Sequence, residues 1–217
     1  MAIKLTILYD NYSRQRDLRS DWGFACLVEA GDRRILFDTG ARGDILLENM
    51  NVLGVDAATI DSVVISHDHW DHTGGLAAFL SLNRDVTLHL PAPSIVPHSS
   101  ARQVIIATDA PVDLENDIHL TGLLGGIEQS LVMQTTRGTV VIVGCSHPGV
   151  AMILEAAAPY GKPRGLIGGL HGFNDFDRLK ELSLICPTHC TEYRTEIIAR
   201  FPNRIIEGGA GTVIEIS

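Results

Sequence analysis

SHDHWDHTGG, residues 66–75, packs three imidazoles and two carboxylates into the six residues His67–His72, directly after the apolar run Ser62–Ile65. Burying so many polar and ionisable groups in one turn would be costly unless they share a cation. Imidazole and carboxylate are the donors preferred by zinc and neighbouring divalent metals. His67 and His69 are two residues apart, so an extended segment points both to the same side. Asp71 and His72 then fall on the first turn of a following helix and face a second ion. Asp68 is expected to point away from the ions, and Trp70 to pack.

Outward from this turn, Val/Ile/Leu-rich runs alternate with Gly, Pro and Asp punctuation. Ile3–Leu8, Phe24–Val28 and Arg34–Phe37 read as strands, the last two joined by a Gly31-Asp32 hairpin turn. Asp44–Leu53 has apolar residues at helical spacing and Gly54 just past its end, as a helix C-terminus requires. Ser62–Ile65 is a short buried strand, a helix follows from about Gly75 to Leu82, and Val86–Leu90 is another strand. Pro91–Asp117 reads as loops around one strand, Val104–Ala107. The second half repeats the grammar with a hairpin, Leu131–Thr135 and Thr139–Val143, then strands Gly165–Leu170 and Leu184–Cys186. Helices are expected at Val150–Ala157, Phe176–Leu182 and Thr191–Arg200, and closing strands at Arg204–Ile206 and Thr212–Ile216. Two halves of this kind predict an α/β fold, a four-layer αββα sandwich of two mixed β-sheets with helices outside. Residues 1–217 are expected to form a single domain.

Three further histidines follow predicted strands: His147 in GCSHPG, His171 in GGLHGF and His189 in CPTHC. Ligands gathered from several strand ends have a rigid floor and loops above, a common setting for catalysis. His89, His98 and His119 lack this framing; His89 reads as a strand residue, and His98 lies in a loop able to cover a cleft. Cys145 and Cys190 flank the histidine turns and read as small buried residues.

The formal net charge of −9, with no basic run, argues against nucleic-acid and anionic-membrane partners. No apolar stretch approaches the roughly 18 residues of a membrane span. Four cysteines without a CxxC pair fit a reducing compartment, so a cytoplasmic location is expected. The expected partner is a small-molecule substrate, phosphorylated or not, and assembly into a homo-oligomer stays open.

SHDHWDHTGG resembles the HxHxDH signature of the metallo-β-lactamase superfamily, and ILFDTG (Ile35–Gly40) resembles the motif before it, in which an aspartate supports the site. VVIVGCSHPG, GGLH and CPTHCT, with Asp10-Asn11 and Trp22-Gly23, resemble the branch of dihydropterin ribofuranosyl-aminobenzene phosphate synthases of the methanopterin pathway. The resemblance implies one metal position at His67, His69 and His147 and a second at Asp71, His72 and His189. It implies Asp38 as the residue that orients a ligating histidine, and Asp71 as the carboxylate that orients the attacking water. It also marks a departure. Where the superfamily supplies a metal-bridging aspartate, this chain has His171, and a neutral imidazole with one free lone pair cannot bridge. His171 is therefore expected as a terminal ligand or a substrate contact in catalysis.

The leading expectation is a hydrolase-type enzyme binding one or two divalent ions, zinc foremost, with manganese, iron(II) and magnesium also accepted by such donors. The branch resemblance implies an alternative, a transferase condensing a pterin diphosphate with a ribofuranosyl-aminobenzene phosphate. Arg14, Arg16, Arg19 and Arg102 would then be phosphate holders or simply solvated charge. A non-catalytic metal sensor is the third alternative; its metal shell would be closed.

Overall fold

The computed structural model describes residues 2–94 and 100–217. The first sheet comprises β1 (Ile3–Tyr9), β2 (Ala25–Ala30), β3 (Arg33–Phe37), β4 (Ser62–Val64), β5 (Thr87–Leu90), β6 (Gln103–Ile106) and β13 (Val213–Ile216). Its order is β13-β1-β2-β3-β4-β5-β6. Pairing is antiparallel from β13 to β3 and parallel from β3 to β6. The second sheet, in the order β12-β11-β10-β9-β8-β7, comprises β7 (Val112–Asp113), β8 (Ile118–Leu120), β9 (Leu131–Thr135), β10 (Gly138–Val143), β11 (Pro163–Gly169) and β12 (Leu184–Thr188). It is likewise mixed, parallel from β12 to β10 and antiparallel beyond.

Side-chain alternation builds the layers. Ile35 and Phe37 of β3 enter the core shared by the two sheets, where they meet Val140 and Ile142 of β10. Leu36 points the other way, onto the helices α1 (Gly43–Val52) and α3 (Leu76–Leu82) through Ile45, Leu46 and Phe79. Val141 and Val143 leave the opposite face of the second sheet and pack on α4 (Val150–Ala157) and α5 (Arg194–Arg200) through Ile153 and Ile197. Helix, sheet, sheet, helix is the expected four-layer order. Leu36, fully buried, illustrates its cohesion, since truncating such a side chain to Ala typically costs about 2–5 kcal/mol.

Helix α1 stops as its sequence dictates. Gly54 takes φ +68°, donating its N–H to the Asn51 carbonyl, while Val55 N–H reaches back to the Met50 carbonyl. This double bond pattern closes the helix end, and the left-handed conformation is available to glycine at no steric cost.

Several expected elements differ. Phe176–Leu182 is only a 3₁₀ turn, Phe176–Leu179, and Arg204–Ile206 makes a single bridge, Ile185 to Ile205, instead of a strand. The segment Pro91–Asp117 contains β7 as well as β6. Trp70 does not pack; it opens the short helix α2 (Trp70–Thr73) with its side chain exposed.

Candidate metal centre

The histidine turn leaves β4 at the edge where β3, β10 and β12 also end, so both sheets contribute to one rim. Three buried imidazoles there are oriented by the same device. Asp38 Oδ2 accepts from Ser66 Oγ at 2.8 Å and from His72 Nδ1 at 2.7 Å, while Oδ1 accepts the Ser66 N–H at 2.7 Å. With its own hydrogen given to Asp38, Ser66 Oγ accepts from His67 Nδ1 at 2.9 Å. His189 Nδ1 donates to Asn11 Oδ1 at 3.0 Å, an oxygen identified as such by the Gly23 N–H it also accepts. In each ring the Nδ1 proton is committed outward, which leaves a bare Nε2 lone pair directed inward.

These nitrogens form two groups side by side. The ligand atoms of His67, His69 and His147 lie within 4.8 Å of one another, as do those of Asp71, His72 and His189. His67 Nε2 is 3.0 Å from His69 Nδ1. Asp71 Oδ2 is 3.3 Å from His189 Nε2 and 4.0 Å from His72 Nε2. The rings of His67 and His72, one from each group, are 4.2 Å apart between centroids. The Nε2 atoms of His147 and His189 are buried and lack a hydrogen-bond partner among the described residues. Orphaned nitrogens of this kind are rare unless something else satisfies them, and the donor set suits a divalent cation.

Electrostatics agree. Burial, reinforced by neighbouring imidazoles, holds His67 and His72 far below the ordinary histidine range and lowers His147. They are therefore neutral at physiological pH, the form that coordinates metal. Burial pushes the Asp38 carboxyl up, against the Ser66 hydrogen bonds. Burial also resists ionisation of Asp71, but its closeness to His189 and His72 outweighs burial and holds that carboxyl low.

The loop carrying His147 hangs on a residue that the sequence motifs do not mark. Glu128 is fully buried; its Oε1 accepts the N–H groups of Gly144, Cys145 and Ser146, and its Oε2 accepts that of His147. A single acid between the Gly125-Gly126 turn and β9 is the one trace it leaves in the sequence. Gly144 is needed for close approach, because a Cβ there would stand 2.2 Å from Ser66 Oγ and 3.0 Å from His67 Nδ1. Cys145 is buried as expected, but its Sγ also lies 3.2 Å from His72 Nε2. Trp22 donates its indole N–H to Asp71 Oδ2 at 2.7 Å and sets its ring edge-on to His189.

His171 is exposed with φ 45°, its ring 5.1 Å from that of His147, and it joins neither histidine group. Asp68 turns to Ser94, whose hydroxyl donates to it. Arg14, Arg19 and Arg102 pair with surface carboxylates, Glu207, Asp44 with Glu48, and Asp85. His89 lies in β5, as expected. His98 lies outside the described residues. A cavity of about 200 Å³ opens beside the first group, lined by His67, His69, Pro91, Pro93 and Ile127 among others.

The profile of the Metallo-beta-lactamase superfamily matches residues 23–151, and the chain belongs to that superfamily. It is 26% identical to the 7,8-dihydropterin-6-methyl-4-(beta-D-ribofuranosyl)-aminobenzene-5'-phosphate synthase of Methanocaldococcus jannaschii, with 89% of each chain covered. Among solved structures, Tm1679, a metal-dependent hydrolase of the beta-lactamase superfamily, superposes with a TM-score of 0.81 at 26% identity over 99% of both chains. YhfI of Bacillus subtilis, a metallo-beta-lactamase fold protein, shares the fold at a TM-score of 0.69 and 15% identity over 100% of both chains.

Proposed function

We propose that the chain is a metal-dependent hydrolase acting on a small soluble ester or phosphate, in the cytoplasm. The carrying observation is the pair of adjoining groups, His67–His69–His147 and Asp71–His72–His189, whose buried His147 and His189 Nε2 atoms have no hydrogen-bond partner among the described residues. Zinc is the ion these nitrogen and oxygen donors suit best. Divalent ions held there would supply Lewis acidity toward a carbonyl or phosphoryl oxygen and make water nucleophilic near neutral pH.

The protein's own part is positioning. Asp38 and Asn11 fix His72 and His189 through their Nδ1 protons, so neither ring has to turn when the site is used. Asp71 orients the attacking water, and the Trp22 N–H holds its Oδ2 in place. His171 serves as a substrate contact; its exposed ring, 5.1 Å from that of His147, supports this role. The likeness to Tm1679, described as a metal-dependent hydrolase, supports this reading.

The likeness to the pterin-related synthase favours a second reading, transfer from a pterin diphosphate to an aminobenzene ribofuranosyl phosphate. One experiment separates the two. Zinc-loaded protein is incubated with phosphodiesters, diphosphates, lactones and a pterin diphosphate, each with and without the aromatic acceptor. Hydrolysed product without acceptor supports the hydrolase. Product formed only with acceptor supports the transferase, and no turnover by any metal-loaded form overturns both.

A further inference from the structure

We infer that Cys145 and Cys190 bring thiolate ligands to the second metal position, the one ion that the single His189 Nε2 lone pair can hold beside Asp71 and His72, and that this position takes a thiophilic divalent cation. The inference rests on the metal-dependent reading above and narrows which ion the second position holds. The two sulfurs come from loops 45 residues apart, yet they lie 3.2 Å from each other, the Cys190 thiol donating to Cys145 Sγ. The ligand atoms of Cys145, His189 and Cys190 all lie within 4.8 Å of one another. Cys145 Sγ also faces His72 Nε2 at 3.2 Å and belongs with His67 and His72 to another group of the same tightness.

The geometry suits coordination. Zinc–sulfur bonds of about 2.3 Å and zinc–nitrogen bonds of about 2.0–2.1 Å in a tetrahedron put neighbouring donors about 3.3–3.8 Å apart. The two 3.2 Å contacts, sulfur to sulfur and Cys145 Sγ to His72 Nε2, have to open by about 0.4–0.6 Å to meet that. The nitrogens are prepared, since His189 and His72 have their Nδ1 protons committed to Asn11 and Asp38. Cys145 is also held from the backbone side, by the Glu128 carboxylate on its N–H. Cys26 and Cys186, in contrast, are packed into the core between the sheets. On coordination each thiol of the pair releases its proton to solvent, and thiolate donors select zinc, iron or cobalt over magnesium.

Cobalt(II) substitution tests this without relying on turnover. Visible ligand-field bands report cobalt in the His/Asp groups, whereas an intense near-ultraviolet band reports sulfur-to-metal charge transfer. The expected near-ultraviolet band falls by about half in Cys145→Ser and in Cys190→Ser, disappears in the double variant and is unchanged in Cys186→Ser. Visible bands without the near-ultraviolet band would overturn the thiolate site and leave the His/Asp reading standing. No cobalt absorption at all would overturn both. If the variants misfold, X-ray absorption on the unmutated zinc-loaded protein decides. Sulfur at about 2.3 Å supports the site, and a shell of nitrogen and oxygen alone removes it.

Discussion

Asp38 Oδ2 lies 2.7 Å from His72 Nδ1 and 2.8 Å from Ser66 Oγ, so one buried carboxylate oxygen orients both the histidine of one group and, through Ser66, His67 of the other. Asp38→Asn that places an amide nitrogen here would set a donor against two donors. Metal affinity is expected to fall about 10–100-fold, as it does when orienting partners are removed elsewhere. Competition with a chromophoric chelator measures it, and unaltered affinity would exclude this coupling.

His69 and His189 belong to different groups, so their losses should be separable. In His69→Ala one bound ion per chain is expected to be lost while folding stability changes by no more than about 0.5 kcal/mol, because the residue is exposed. In His189→Ala the other ion should go. Elemental analysis together with denaturant titration checks both, and full occupancy in either variant contradicts the assignment of that group.

Glu128 bonds four backbone N–H groups. In Glu128→Gln the amide nitrogen replaces one acceptor, leaving at least one buried N–H unpaired at a cost of about 1–3 kcal/mol. A lower urea midpoint at unchanged slope is expected, together with weaker metal binding by the His147 group. An unchanged midpoint would show that the loop has another support.

His89 gives a pH prediction independent of any metal. Burial first, and the charge of Arg33 second, lower it to about 4 from its ordinary value near 6.5. Between those values the unfolded chain binds a proton that the folded chain refuses, so stability falls as pH falls from 6.5 toward 4. His89→Leu should reduce that slope by about 1.4 kcal/mol per pH unit. Urea titrations of both proteins in chelator at several pH values test it; parallel profiles would refute the burial argument.

How far the chain can be read from its letters depends on how local each feature is. His67, His69, Asp71 and His72 are legible because four donors fall within six residues, and both sheets are legible from their apolar runs. β7 and β8, with two and three residues, are too short to show alternation and sit among Asp, Glu and Asn. Arg204–Ile206 has the composition of a strand, but beside β12 it makes only one bridge. Glu128 and Cys145 escaped as functional residues because what distinguishes them is who they touch. A buried acid collecting N–H groups from a loop 16 to 19 residues away, and a thiol facing an imidazole 73 residues away, leave no periodic trace.

The bond between Asn11 and His189 joins residues 178 positions apart, while His67, His69 and His147 need nothing beyond position 147 for their donors. During vectorial synthesis the first trio therefore emerges from the ribosome well before its neighbour. The Asp71–His72–His189 group is complete only when nearly the whole polypeptide is out and Asn11, just past the opening strand, has met the distal loop. On the metal-dependent reading proposed above, the earlier trio is expected to load first.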